Sequence, residues 1–310
     1  MFSFILRGVT AAAVFWPTVL GLCFLAAGIF TYRRDLRTAS SSGLFGLASL
    51  GPVFIAASLA AFAGEHFTAA RSLAELVPKW MPARLFIAYF VGVAHLAAAL
   101  SLVARRYIRW STIFLAIMFA LFVLLLHLPN AMHHAANRVF WIFPVRETTF
   151  AMGALALFAI EVRGQWPKSS NRIAAVARAW TAMAIIYFGT QNILYPQLSP
   201  GVPDTQTTAP WVPLPHLIAY LTGILLIVFG IAMLVRKYAS SAGTSAGLLM
   251  LLLTLALYVP DFFLSRSTSE YVTALNFVFD TLLFAGTLFV IANAISRSEP
   301  SPIGKAQIAI

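Results

Sequence analysis

The chain of 310 residues is too apolar to be an ordinary water-soluble protein. Apolar residues make up 60% of it and charged residues 10%, whereas soluble domains carry roughly 25% charged residues. Several runs reach the ~20 apolar residues that cross a hydrocarbon core about 30 Å thick. We therefore predict an all-α, multi-pass integral membrane protein.

The net charge of +11 would favour nucleic acid as a partner of a soluble chain. Here the basic residues lie in short loops between apolar runs, and no loop is long enough to form a nucleic-acid-binding domain. We expect the lipid bilayer, and no nucleic acid, as a partner. The single cysteine, Cys23, excludes dithiol chemistry and thiolate-rich metal sites within one chain.

Hydropathy predicts nine transmembrane helices, at about 9–32, 44–66, 83–104, 108–128, 142–162, 173–194, 214–235, 243–264 and 273–294. A single Arg7 precedes the first run and no small-residue cleavage site follows it, so we expect a retained helix and not a removed signal peptide. Lys and Arg are concentrated in the loops after the odd-numbered spans. This bias predicts an external N-terminus and a cytoplasmic C-terminus, and we expect the membrane to be a bacterial cytoplasmic membrane.

The sequence contains an internal repeat. When the chain is shifted by 131 residues, positions 80–130 align without a gap on positions 211–261, and twelve of the 51 pairs are identical. The matches include Trp80 with Trp211 and Pro129 with Pro260. Shifts of 126 before this block and 133 after it indicate a longer loop in the second copy.

The repeat predicts four parts: an additional N-terminal helix with its basic loop (1–43), a first four-helix repeat (44–165), a second four-helix repeat (173–296) and a C-terminal tail (297–310). An even number of spans returns the chain to its starting side, so both copies should have the same orientation, related by an axis along the membrane normal. Ala88-x3-Gly92 recurs as Ala219-x3-Gly223. We interpret this small-x3-small pair as helix packing.

The segments "VPKWMPARLFIAYFVGVAHLAAALSLVARR" and "FVLLLHLPNAM" resemble the DoxX-like membrane proteins. The shared features are a tryptophan–proline entry before helix two, a glycine within it, a basic turn and an "HLP" ending of helix three. The likeness covers 60–160 and extends to 185–294 through the repeat. It implies an accessory subunit of a quinone-linked redox or oxidative-stress complex, with redox-complex subunits as partners and quinone as a ligand. His95 stands near where the family often has an acid.

Ionisable groups at membrane depth cost about 2.5–3.5 kcal/mol on insertion scales, so each needs an explanation. Glu147 and Asp280 are the main candidates, because the repeat aligns them. One interpretation is a proton-exchanging carboxyl that faces an interior cavity. The other is a carboxyl tied to a neighbouring helix by hydrogen bonds, for example Glu147 to Arg146 or Arg84.

A second set of candidates forms a predicted outer polar cluster where two spans end on the same side. Its members are Glu65, His66, His127, Asn130, His133 and His134. A histidine of the cluster could donate to a quinone carbonyl with Trp80 or Trp141 alongside, or the histidines could be interfacial residues beside a proline that ends the helix. Their spacing fits no metal signature, so no metal is predicted. The second-repeat counterparts are Gln191, Asn192, Tyr258 and Asp261.

His95 lies in mid-membrane, about 18 Å deep at 1.5 Å per residue, and we expect it at a different level from His127. An interior hydrogen bond, a proton relay and haem ligation are open for it, although a haem bridge would need a second histidine at matching depth and none is evident. Because the chain has no phosphate loop, nucleophile elbow or nucleotide motif, we do not expect an enzyme in the isolated chain. Three functions remain: a quinone-linked redox accessory subunit, a non-catalytic assembly scaffold, and a small-solute or proton-coupled transporter.

Overall fold

A computed structural model describes residues 11–296 of the chain. Within this range nine helices are long and apolar enough to cross a membrane, and no strand is present. They are α1 (Ala12–Ala39), α2 (Gly43–Thr68), α3 (Arg84–Ala104), α4 (Ile108–His133), α5 (Arg138–Val162), α6 (Pro167–Leu194), α7 (Pro215–Leu234), α8 (Arg236–Leu264) and α9 (Thr268–Ser296). The predicted helical membrane fold is confirmed.

Several helices are longer than the apolar runs that predicted them. α1 continues to Ala39, and α9 begins at Thr268, because polar residues at a membrane surface can extend a helix without entering the hydrocarbon core. A short helix, Ala70–Ala74, follows α2. The predicted start of the first span at residue 9 and the predicted tail 297–310 lie outside the described residues.

The prediction that Pro129 ends its helix is wrong. Val123–His127 forms a π-helical segment, and the helix then continues through Pro129 to His133. Proline lacks an N–H and clashes with the carbonyl of the residue four positions earlier. A wider π turn moves that carbonyl away, so the chain remains helical. The same device precedes Pro260, where Thr254–Tyr258 is π-helical.

α5 and α9 form the centre of the bundle. They pack against each other, α9 also packs on α2, α6 and α8, and α5 also packs on α4 and α6. α1 packs along the outside of α2. The helix ends near Arg105, Arg163 and Arg236 carry most of the basic residues, and we call this end of the molecule the basic end. The opposite end, where α2, α4, α6 and α8 finish, is called the cavity end.

Residues 131 positions apart have the same local backbone conformation at several unusual points. Ala83 and Leu214 precede α3 and α7 with φ of 52° and 49°, in the left-handed region that non-glycine residues rarely adopt. The two π-helical segments are also 131 positions apart. These pairs agree with the alignment of the two halves, and the division into domains stays a prediction.

The small-x3-small pairs act in helix packing, as predicted. A Cβ on Gly92 would lie 2.7 Å from Cβ of His66 on α2, and a Cβ on Gly223 would lie 2.7 Å from the carbonyl oxygen of Gly189 on α6. In each half the glycine therefore allows the second helix of the repeat to approach the first.

Candidate functional site

A cavity of about 1240 Å³ opens at the cavity end between α2, α3, α4, α5, α8 and α9. Its deep wall carries phenyl rings, including Phe62, Phe119 and Phe150. Residues 204–211 of the loop between α6 and α7 form part of its outer wall. The cavity is large enough for a drug-sized molecule, since typical ligand pockets have about 300–1,000 Å³.

The loop between α6 and α7 is held by hydrogen bonds to side chains of α5, α6 and α8. Asn192 Nδ2 donates to the Gly201 carbonyl at 3.0 Å, and the Gly201 N–H donates to Asn192 Oδ1 at 3.0 Å. The Tyr258 hydroxyl donates to the Pro200 carbonyl. Arg138 donates to the backbone carbonyls of Pro203 and Asp204 at 2.9 and 2.5 Å.

A charged network on the two central helices lies in the cavity wall. Arg146 Nη1 donates to Asp280 Oδ2 at 2.7 Å, and its Nη2 donates to Glu147 Oε1 at 3.2 Å. The exposed fractions of the three side chains are 15% for Arg146, 24% for Asp280 and 10% for Glu147. Both predicted buried acids therefore accept hydrogen bonds from the guanidinium of Arg146. For Glu147, a bond to Arg146 is one of the interpretations given above. The network also links the two repeat-related acids.

Glu65, His66 and His95 form a second group in the same cavity. The rings of His66 and His95 are 5.5 Å apart, and His66 Nδ1 is 2.8 Å from the carbonyl oxygen of Ala88. His95 is 4% exposed, and neither of its ring nitrogens has a hydrogen-bond partner. Glu65 Oε1 is also buried without a partner. Buried polar atoms are normally hydrogen-bonded, so these atoms are available to a bound molecule or to water.

The predicted outer polar cluster is divided by the fold. Glu65 and His66 line the cavity, whereas His127, Asn130, His133 and His134 do not. His127 stacks on Phe143, with ring centroids 5.7 Å apart. His133 and His134 are exposed, and His134 stacks on Phe140. Since α4 continues as a helix past Pro129, its terminal histidines follow the outside of the bundle and do not turn towards α2.

The second-repeat counterparts have different surroundings. Asn192 and Tyr258 hold the α6–α7 loop, as described above. Gln191 is 8% exposed and its Oε1 has no hydrogen-bond partner, but it does not line the cavity. Asp261 lines the cavity and accepts a hydrogen bond of 3.3 Å from Trp211 Nε1. The longer α6–α7 loop therefore bonds to Asn192 and Tyr258, the counterparts of His66 and His127, and forms part of the cavity wall.

Two acidic residues of the cavity, Asp204 and Glu270, were not predicted as site residues from the sequence. Both lie in surface-like polar segments that resemble ordinary loop or helix-start residues. The signal that could have found Asp204 is the longer second-copy loop in which it lies. Within residues 11–296, no three His, Cys, Asp or Glu side chains are close enough to hold a metal ion.

Comparison of the chain with protein-family models, with curated proteins and with solved structures gave no match. The likeness to DoxX-like proteins therefore stays a prediction. The chemistry open to the cavity follows from its own residues: carboxyl groups, imidazoles and one buried guanidinium beside apolar rings.

Proposed function

We propose that this multi-pass membrane protein is a transporter of a small solute, coupled to protons. The observation that supports the proposal is a second cavity on the same helices. It has about 370 Å³, lies at the basic end, and is lined by residues of α1, α2, α3, α4, α5 and α9. Alternating access opens one central site to each side in turn, and cavities that approach the bundle centre from both ends leave a short path for such a site.

The partition between the two cavities is thin. On α5, Phe150 lines the first cavity and Leu157 the second, and on α9 the corresponding residues are Leu283 and Val290. At 1.5 Å per residue, each pair is about 10 Å apart along its helix. We propose that movement of α5 relative to α9 changes which end the path opens to.

Polar atoms lie at the level of the partition. Thr287 is 1% exposed, its hydroxyl has no partner, and it packs against Gly153 on α5. On α2, the buried Ser58 hydroxyl is also without a partner, and it lies between Phe62 and Pro52, which line the two cavities. Hydroxyls of this kind can bind water or a solute during passage.

The carboxyl groups supply the proposed coupling. Glu65, Glu147 and Asp280 lie within predicted spans, where an acid is costly and is typical of proton pathways. Arg146 bonds to two of them, while Glu65 Oε1 has no partner. We propose Glu65 as the carboxyl that exchanges protons, and the Arg146 network as the element that responds to the exchange.

Cysteine labelling tests the proposal. In a Cys23→Ser background, Ser58→Cys and Thr287→Cys are each exposed to a membrane-impermeant methanethiosulfonate from one side of sealed vesicles and then from the other. We expect both positions to be labelled from both sides. Thr181→Cys is the matched control, because Thr181 is equally buried but lies on α6, away from both cavities, and it should stay unlabelled. Labelling from the cavity end alone would contradict transport.

A quinone-linked redox accessory subunit is the second candidate. The two unpartnered ring nitrogens of His95, with the rings of Phe62 and Phe119 each 6.2 Å away, would suit a quinone carbonyl between apolar walls. In a titration with a water-soluble short-chain quinone, His95→Gln should weaken binding about tenfold, as loss of roughly 1.4 kcal/mol implies. The exposed His133→Gln should not. Co-purification of a partner without either behaviour would favour the scaffold function.

A further inference from the structure

The acidic residues of this chain are unevenly distributed. The sequence has 21 Lys and Arg against 10 Asp and Glu, yet the cavity has the opposite balance. Two arginines, Arg146 and Arg266, line it. Six of the ten acids also line it, namely Glu65, Glu147, Asp204, Asp261, Glu270 and Asp280. The cavity is therefore a strongly acidic region within a basic protein.

The buried ionisable groups of the cavity include more carboxyl groups than guanidinium groups. Arg146 is shared between Asp280 and Glu147, so this network has one negative charge more than positive charges when both acids are ionised. Glu65 adds another carboxyl, and its Oε1 has no partner. A cleft lined by negative charges concentrates cations, because its low-dielectric walls focus the electric field.

A second observation also indicates a ligand. His95 is 4% exposed, lines the cavity, and has no hydrogen-bond partner on either ring nitrogen. A neutral imidazole has one acceptor nitrogen, which can accept a hydrogen bond from an ammonium or hydroxyl group. Its ring lies among those of His66, Phe62 and Phe119, and aromatic faces attract organic cations.

We infer that the cavity binds an organic cation, an amine or a quaternary ammonium compound; this inference rests on the proposed role of the cavity as the solute site. An inorganic ion fits less well, since no three ligating side chains converge in the described part of the chain. The acids are instead spread over a cavity of about 1240 Å³. That arrangement favours a ligand that carries its charge on an apolar body.

Binding of matched probes tests the inference. Dissociation constants are measured by calorimetry on the full chain in nanodiscs, for phenethylamine against 2-phenylethanol and for choline against 3,3-dimethylbutanol. Within each pair the shapes are similar and one member carries a positive charge. We expect at least one cation to bind ten times or more as tightly as its neutral analogue.

Three variants assign the effect to the cavity. Glu65→Gln should weaken cation binding about tenfold and leave the neutral analogue unchanged. Glu270→Gln, at an exposed position of the cavity rim, should also weaken cation binding. It keeps the inference testable if Glu65→Gln does not fold. Glu75→Gln is the matched control, because Glu75 is exposed and outside the cavity, and it should change neither constant.

The outcomes separate this inference from transport. Equal binding within both probe pairs, or no saturable binding of either cation, would overturn it. Loss of the cation preference in Glu75→Gln would also overturn it. Selective cation binding together with labelling of Ser58→Cys from one side alone would refute transport and support the cation site. Labelling from both sides with no cation preference would refute the cation site alone.

Discussion

Arg146 is the position where a single substitution should be most damaging. Its guanidinium joins the two central helices, through Asp280 on α9 and Glu147 beside it on α5. Arg146→Met keeps much of the side-chain length and apolar stem but removes the charge and both hydrogen bonds. Two carboxylates are then left in the cavity wall without their cation.

The magnitude follows from the burial of the partners. Breaking a buried ion pair by removing one member costs about 3–5 kcal/mol, because the remaining charge is uncompensated. Asp280 is 24% exposed, so water in the cavity can partly hydrate it, and we expect the lower end of this range, about 3 kcal/mol. Unfolding by SDS titration in mixed micelles measures the free energy, with the exposed Arg71→Met as a control that should change it by less than about 0.5 kcal/mol.

A triple variant separates lost charge compensation from lost packing. Arg146→Met combined with Glu147→Gln and Asp280→Asn removes the uncompensated charges, and it should regain most of the stability. Two results would refute the reasoning: a loss below about 1 kcal/mol in the single variant, or a triple variant as unstable as the single one.

Three further predictions concern packing, topology and the loop. Gly189→Ala should lower the free energy of unfolding by about 1–3 kcal/mol, because its Cβ would lie 2.6 Å from a backbone oxygen of α7; the same titration of Gly164→Ala, whose Cβ meets nothing within 4 Å, should show no loss. Reporters fused after Pro129 and after Pro260 should be active in the same compartment, and opposite locations would contradict the parallel repeat. Tyr258→Phe removes the hydroxyl that holds the α6–α7 loop, at about 1 kcal/mol, and should increase the rate of limited proteolysis within that loop; an unchanged cleavage rate would show that the bond does not fix the loop.

The sequence predicted the candidate acids better than it predicted their neighbours. The repeat aligned Glu147 with Asp280, and the fold brings both to Arg146. The second copy holds Phe279 at the position aligned with Arg146, so the repeat does not mark Arg146. The sequence could not show that the guanidinium of Arg146 lies between these two acids. That distance depends on how α5 and α9 pack, and the two residues are more than 130 positions apart in the chain.

The histidines are a second case in which the sequence did not predict which side chains meet. The shared side of the membrane suggested that His66 would converge with His127, and the depth of His95 suggested that it would lie apart. Instead His66 meets His95, because Gly92 lets α3 approach α2 closely. His127 lies against Phe143 because a π-helical segment carries α4 past its proline.

The order of apolar runs alone determined that this chain is a bundle of membrane helices. Each run must satisfy its own backbone hydrogen bonds in lipid, and this requirement is local and readable from composition. Which polar side chains share a cavity was decided by tertiary structure. It depends on contacts between distant helices, on a few glycines that set their spacing, and on a long loop that forms part of the cavity wall.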